Sequence, residues 1–146
     1  MNWITAIVAV YGALLSTVAI VWQIAAWRER VVGRVKVFVR DNMMTYSKLD
    51  GEEGPFILFE AVNDGEKPVR LNTLGVTVKG AKKSLYVKCE HLPRNLCEGE
   101  EVTQLSDRAG MVEALRGLGI SPPWQCTAVF YSSTKREYKK KFKLKP

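Results

Sequence analysis

Few side chains in this 146-residue chain could support covalent or metal chemistry, and their spacing narrows what they could do. The single histidine, His91, lies two residues after Cys89 and six before Cys97, with Cys126 further along. Three thiols and an imidazole are suitable donors for a four-coordinate zinc ion, and in extended chain Cys89 and His91 project to one side. A Cys-x-His spacing is not that of the common zinc modules. Two buried or half-buried thiols and a surface imidazole are the simpler reading, and metal binding by Cys89, His91, Cys97 and Cys126 stays open at this level. As a nucleophilic pair they are weaker still: two residues apart on one strand, they lack an in-line hydrogen bond and a third group to orient the ring. The clustered acids, Glu98, Glu100 and Glu101 around Gly99 and Glu52-Glu53 between Gly51 and Gly54, read as exposed turn carboxylates. There is no G-x-S-x-G elbow, phosphate-cradling glycine loop or H-E-x-x-H pair. The expectation is a non-enzymatic protein with no catalytic residue, cofactor or assigned metal ligand.

The charges say more. The chain has 22 Lys and Arg against 15 Asp and Glu, a net +7, yet residues 1–27 carry no charged side chain. Residues 28–41 sum to +3, residues 42–134 to −2 and residues 135–146 to +6. Positive charge therefore sits at the two flanks of a slightly acidic body. In the tail, KREYKKKFKLKP, a strand would place Tyr138, Lys140, Phe142 and Leu144 on one face and Lys139, Lys141, Lys143 and Lys145 on the other. Such a lysine row has three readings. It protects an exposed sheet edge from pairing with other chains. It meets anionic lipid, at about 1 kcal/mol per charge near the surface. Or it meets an acidic partner protein. Nucleic acid is not expected, because few aromatic rings outside the core are placed to stack bases.

What must position these residues is an anchor followed by a small β domain. Trp3 to Trp27, WITAIVAVYGALLSTVAIVWQIAAW, is 25 residues broken only by Thr5, Ser16, Thr17 and Gln23. As a helix it would run roughly 37 Å, enough to cross a hydrocarbon core of about 30 Å. Trp3 lies at one end and Trp22 and Trp27 near the other, where interfacial rings belong. The run is longer than a signal-peptide core, no basic residue precedes it, and Trp27 follows Ala25-Ala26 where a cleavage site would fall. A retained single span over residues 1–30 is expected. Arg28, Arg30, Arg34, Lys36 and Arg40 follow it, which places the C-terminal domain in the cytoplasm and the amino terminus outside, at the cell inner membrane. Three cysteines, an odd number, suit a reducing compartment. Gly12 and Ser16 form a small-xxx-small pair through which another helix could approach, making homo-oligomerisation one candidate partner mode.

Residues 31–146 read as one mainly β domain. Period-two or β-branched runs occupy Val35 to Arg40, Phe56 to Val62, Val69 to Val78, Ser84 to Lys88, Val102 to Leu105, Gln125 to Tyr131 and Tyr138 to Leu144. Turn residues separate them at Asp50-Gly51, Asn63-Asp64-Gly65, Lys79-Gly80 and Pro122-Pro123. Seven short strands at this spacing predict an antiparallel β-sandwich. One short helix interrupts them, capped by Ser106 or Asp107, with Met111, Ala114, Leu115 and Leu118 on its apolar face and Gly117 and Gly119 to stop it. It is expected to cover an open end of the sandwich. The junction from Arg28 to Arg34 is short, so the domain should lie close to the bilayer.

The stretch from Val62 to Val76, VNDGEKPVRLNTLGV, resembles the turn-and-strand signature of immunoglobulin-like β-sandwich modules in small bacterial proteins. LPRNLCEGE, from Leu92 to Glu100, resembles their connection before an edge strand. The resemblance covers roughly residues 35–145 and points to uncharacterised bacterial and phage single-span membrane proteins. It implies an immunoglobulin-like fold and no particular reaction. Taken together, the chain reads as a membrane-anchored interaction module or accessory subunit that docks a protein partner at the cytoplasmic face of the lipid bilayer. The alternative is a tethered ligand sensor or effector, of phage or anti-phage type, acting through oligomerisation of the span.

Overall fold

A computed structural model describes residues 2–31, 33–44 and 54–146. The turn expected at Asp50-Gly51 and the acids Glu52 and Glu53 lie outside the described residues. Helix α1, Trp3–Val31, takes up the whole uncharged run and ends on Arg28 and Arg30, cations that suit the negative end of a helix dipole. At 29 residues it is about 43 Å long. From Trp3 to Arg30 it is long and apolar enough to cross a membrane, and no residue of its apolar window is buried against the rest of the chain. The hydroxyls of Ser16 and Thr17 donate to the carbonyls of Gly12 and Ala13, each at 2.8 Å. Both polar groups are thus satisfied within the helix, the condition for placing them in hydrocarbon.

Among the described residues, eight strands and one helix follow: β1 Val35–Met43, β2 Phe56–Asn63, β3 Val69–Val78, β4 Leu85–Val87, β5 Arg94–Leu96, β6 Glu101–Asp107, α2 Arg108–Gly117, β7 Trp124–Ser132 and β8 Glu137–Leu144. One sheet has the order β1-β2-β6; the other has β4-β3-β7-β8, with β5 pairing on β3 beside β4. Every pairing is antiparallel. The sheets β1-β2-β6 and β4-β3-β7-β8 pack face to face as a sandwich and do not close into a barrel. The fold is therefore mainly β and sandwich-like, as the alternation of the sequence requires.

The core lies between the sheets. Ile57, Phe59 and Ala61 of β2 face Leu74 and Val76 of β3 and Ala128 and Phe130 of β7, all essentially free of solvent. Phe59 meets Phe142 of β8 edge-on, ring centroids 6.0 Å apart, which joins the sheets directly. Trp124, fully buried at the start of β7, donates from its indole nitrogen to the Ile120 carbonyl at 2.9 Å. That bond answers the one polar group the ring brings inside.

Two readings of the sequence need correction. The Leu92 to Glu100 connection contains a strand, β5, whose Leu96 is fully buried and pairs with Val69. On α2 the buried residues are Met111, Val112 and Leu115, with Leu118 half-buried and Ala114 exposed. Val112 takes the inward place because its larger side chain removes more apolar surface from water than Ala114 would. Asp107 is the cap, accepting from the Gly110 amide at 3.1 Å, and Gly119, at φ +75°, is the left-handed stop.

Candidate functional site

The sandwich has two ends. β1 starts at the end next to α1, where Val35 pairs with Asn63 and where β3 and β8 also begin. The other end carries the last residues of β6 and β8 and the first of β7, with α2 crossing there from one sheet to the other. Charge and polar side chains divide between these ends, and each division has a local cause.

At the α1 end the chain enters the fold through Gly33 and Arg34. The Asp64 amide donates to the Arg34 carbonyl at 2.8 Å, and the Tyr138 hydroxyl donates to the Gly33 carbonyl at 3.4 Å. A Cβ on Gly33 would lie 2.4 Å from a Val69 methyl carbon, and one on Gly65 would lie 2.9 Å from the Arg34 nitrogen. Gly65 lets two backbones approach, and Gly33 lets the entering backbone lie against the Val69 side chain. Asn63 fixes the turn beneath them: its side-chain nitrogen donates to the Lys67 and Leu96 carbonyls at 2.7 and 2.8 Å, and its oxygen accepts from the Gly65 amide at 2.9 Å. The sequence marked Asn63 and Gly65 as turn residues; the bond to Leu96, across 33 positions, carried no local signal. Lys36 adds an exposed ion pair to Asp64 at 3.0 Å.

The lysine row lies on the outer face of the larger sheet. Lys139, Lys141 and Lys143 are exposed and stand opposite Val129, Thr127 and Gln125 of β7. Tyr138, Phe142 and Leu144 turn inward as expected. Lys140, on the inward side, stays exposed because β8 is an edge strand and a lysine stem reaches past it. Lys139 pairs with Glu137 at 3.0 Å. Lys141 and Lys143 instead line a recess of about 610 Å³ with Lys79, Thr77, Thr127 and Gln125. Lys145, also exposed, is tied back by its carbonyl, which accepts from Arg108; Arg108 in turn pairs with Asp41 at 2.9 Å. The row thus climbs away from α1, and its last members belong to the opposite end of the sandwich.

The thiols and the imidazole do not assemble. Cys89 and Cys126 are buried, Cys97 and His91 are exposed, and among the described residues no three His, Cys, Asp or Glu side chains could hold a metal ion together. Burial pushes the Cys126 thiol up to about 11, which leaves it protonated and unreactive at neutral pH. One carboxylate pair carries no signal along the sequence. Glu60 on β2 lies diagonally across from Glu101 on β6, on the open face of the smaller sheet. Partial burial raises its pKa, and a hydrogen bond to Glu101 and that acid's charge add to the rise, against an opposing pull from Arg40. It is half-buried there and lines none of the four recesses described for this domain. Along α1, Trp3, Trp22 and Trp27 are 70, 77 and 63% exposed, and the backbone at Gly12 has open space around it. No family model matches the chain, and no curated protein matches it.

Proposed function

We propose that the protein is a single-span membrane protein whose β-sandwich is a non-enzymatic docking module held at the cytoplasmic face of the inner membrane. The observation that carries this reading is the unburied apolar helix α1 joined to the sandwich with only residues 32–34 between. A surface of that size left in water would aggregate, so lipid is its natural cover. Trp22, Trp27, Arg28 and Arg30 then mark the inner boundary and Trp3 the outer one. The anchor supplies location and two-dimensional concentration. The exposed face of Lys139, Lys141 and Lys143, with the recess beside it, supplies contact for an acidic partner, which makes the chain an accessory subunit of a larger assembly.

Two measurements test this. Cys97 is the one exposed thiol of the three, so it reports the side of the membrane. A membrane-impermeant maleimide should label it only after the cells are opened; labelling of intact cells refutes the orientation. The full chain purified in detergent should bring down the same partner each time, and the Lys139→Glu, Lys141→Glu, Lys143→Glu chain should lose it. Equal recovery by both chains removes the lysine face from the interaction.

A further inference from the structure

A second basic recess lies at the α1 end, assembled from pieces distant in the sequence. Lys67 and Arg70 come from the β2–β3 turn and the start of β3, Asn95 from β5, and Ser133, Thr134 and Arg136 from the β7–β8 hairpin. Gly33, Val69 and Tyr138 form part of its wall, and it encloses about 430 Å³. Among the described residues, three cations and no carboxylate line it, and none of the three is ion-paired. Several acids of the same end are engaged elsewhere: Asp64, Glu66 and Glu98 line a separate recess with Glu29, Arg30 and Arg34, Glu100 accepts from the Cys97 amide, and Glu137 is taken by Lys139. Unneutralised like charges repel, so a fold that gathers them without an acid is arranged for an anion from outside.

The donor set narrows the anion. Two guanidinium forks, an ammonium, two hydroxyls and an amide match the several oxygens of a phosphate group better than the two of a carboxylate. The chain path supplies the source. Gly33 stands two residues beyond the end of α1, so on the anchored reading it lies within about 10 Å of the bilayer surface. The hairpin residues sit against it through the Tyr138 hydroxyl. The other basic recess, with Lys79, Lys141 and Lys143, lies toward the far end of the same strands and lacks this proximity.

We propose that this recess binds the phosphate of an anionic phospholipid headgroup, with Arg70 and Arg136 as the bidentate ligands and Lys67, Ser133, Thr134 and Asn95 completing the shell. Binding would fix the sandwich against the leaflet and orient its lysine face toward a partner. The proposal rests on the anchored, cytoplasmic reading above.

The test uses the full chain in detergent, titrated with short-chain phosphatidylglycerol, short-chain phosphatidylcholine or inorganic phosphate and read by native mass spectrometry. Phosphatidylglycerol should be retained and phosphatidylcholine should not. Arg70→Gln with Arg136→Gln should weaken retention by at least about tenfold, since each loses a charge-assisted fork. Lys141→Gln with Lys143→Gln removes the same charge from the remote recess and should leave retention unchanged. Arg70→Lys with Arg136→Lys keeps the charge and should restore part of the loss. All six substitutions are at exposed positions, and an unchanged denaturant midpoint confirms folding. Equal retention by the two Gln variants overturns the site. Inorganic phosphate binding as tightly as phosphatidylglycerol overturns the lipid as its ligand. Alkaline-carbonate extraction of the unaltered chain is scored separately: release to the supernatant overturns the anchor itself, whereas a pelleted chain with no lipid preference overturns only this proposal.

Discussion

At the α1 end of β2, the Asn63 side chain donates to two carbonyls and accepts from one amide while no part of it reaches solvent. Its backbone is held as well, donating to the Glu100 carbonyl and accepting from the Gly99 amide. One residue thus ties the β2–β3 turn to β5 and to the loop before β6. Asn63→Ala would remove a partner from three backbone groups, and stability should fall by about 3 kcal/mol, against about 0.5 kcal/mol or less for the exposed Asn95→Ala. Denaturant midpoints of the two chains decide it; similar midpoints would show that water replaces the Asn63 bonds. Cys126 makes a different kind of demand. Burial raises its thiol from 9.0 to about 11, so the folded chain keeps a proton that the unfolded chain releases. Stability from this group is therefore whole below about pH 9 and declines as the pH rises toward about 11. Cys126→Val should remove that part of the alkaline slope, seen as a stability difference from the parent that changes between pH 8 and pH 11 in about the window where thiols and lysines titrate. A constant difference would show that the thiol does not contribute.

The elements differ in how plainly their sequences announce them. β2, β3 and β7 carry runs of β-branched and aromatic residues, β8 sets Tyr138, Phe142 and Leu144 against alternate lysines, and all four formed close to where these patterns predict. β5 is three residues long, too short to show any period, and it exists because Leu96 finds a place against Val69 that only the folded sheet provides. The helix α2 is an intermediate case. Its existence, its Asp107 cap and its Gly119 stop follow from side-chain chemistry, whereas the side turned inward depends on how the helix meets the sheets, which put Val112 rather than Ala114 against the core. The cap can be weighed alone. Asp107→Ala removes the acceptor for the Gly110 amide, and the chain should lose about 1 kcal/mol. Asp107→Asn, which keeps an acceptor oxygen, should lose much less. If both cost the same, the end of β6 and not the cap is responsible.

Span and sandwich meet where the chain passes through Gly33 and Arg34. Neither basic recess could be read along the sequence, because Lys67, Asn95 and Arg136 share a surface only after β3, β5 and the β7–β8 hairpin are brought to one end. The lysine row was legible as a face, but its direction, away from α1, follows from the strand order. What links span to sandwich is the fit of Gly33 on Val69, with the Tyr138 hydroxyl above it and the Asp64–Arg34 bond beside it. Val69 is buried and β-branched, so its methyl cannot swing clear of a new Cβ. Gly33→Ala should therefore push the entering chain off the sandwich at a local cost of about 1–3 kcal/mol while the core, which Gly33 does not enter, stays folded. The readout is amide hydrogen exchange of the full chain in detergent. Exchange at Asp64 should rise by about tenfold, as the Arg34 bond opens, with no change at the core strand β7. Adding Val69→Ala deletes the interfering methyl and should return the Asp64 amide toward its original protection. If Asp64 exchanges at the same rate in all three chains, span and sandwich are joined by a slack tether, and motion of the anchor has no rigid path into the domain.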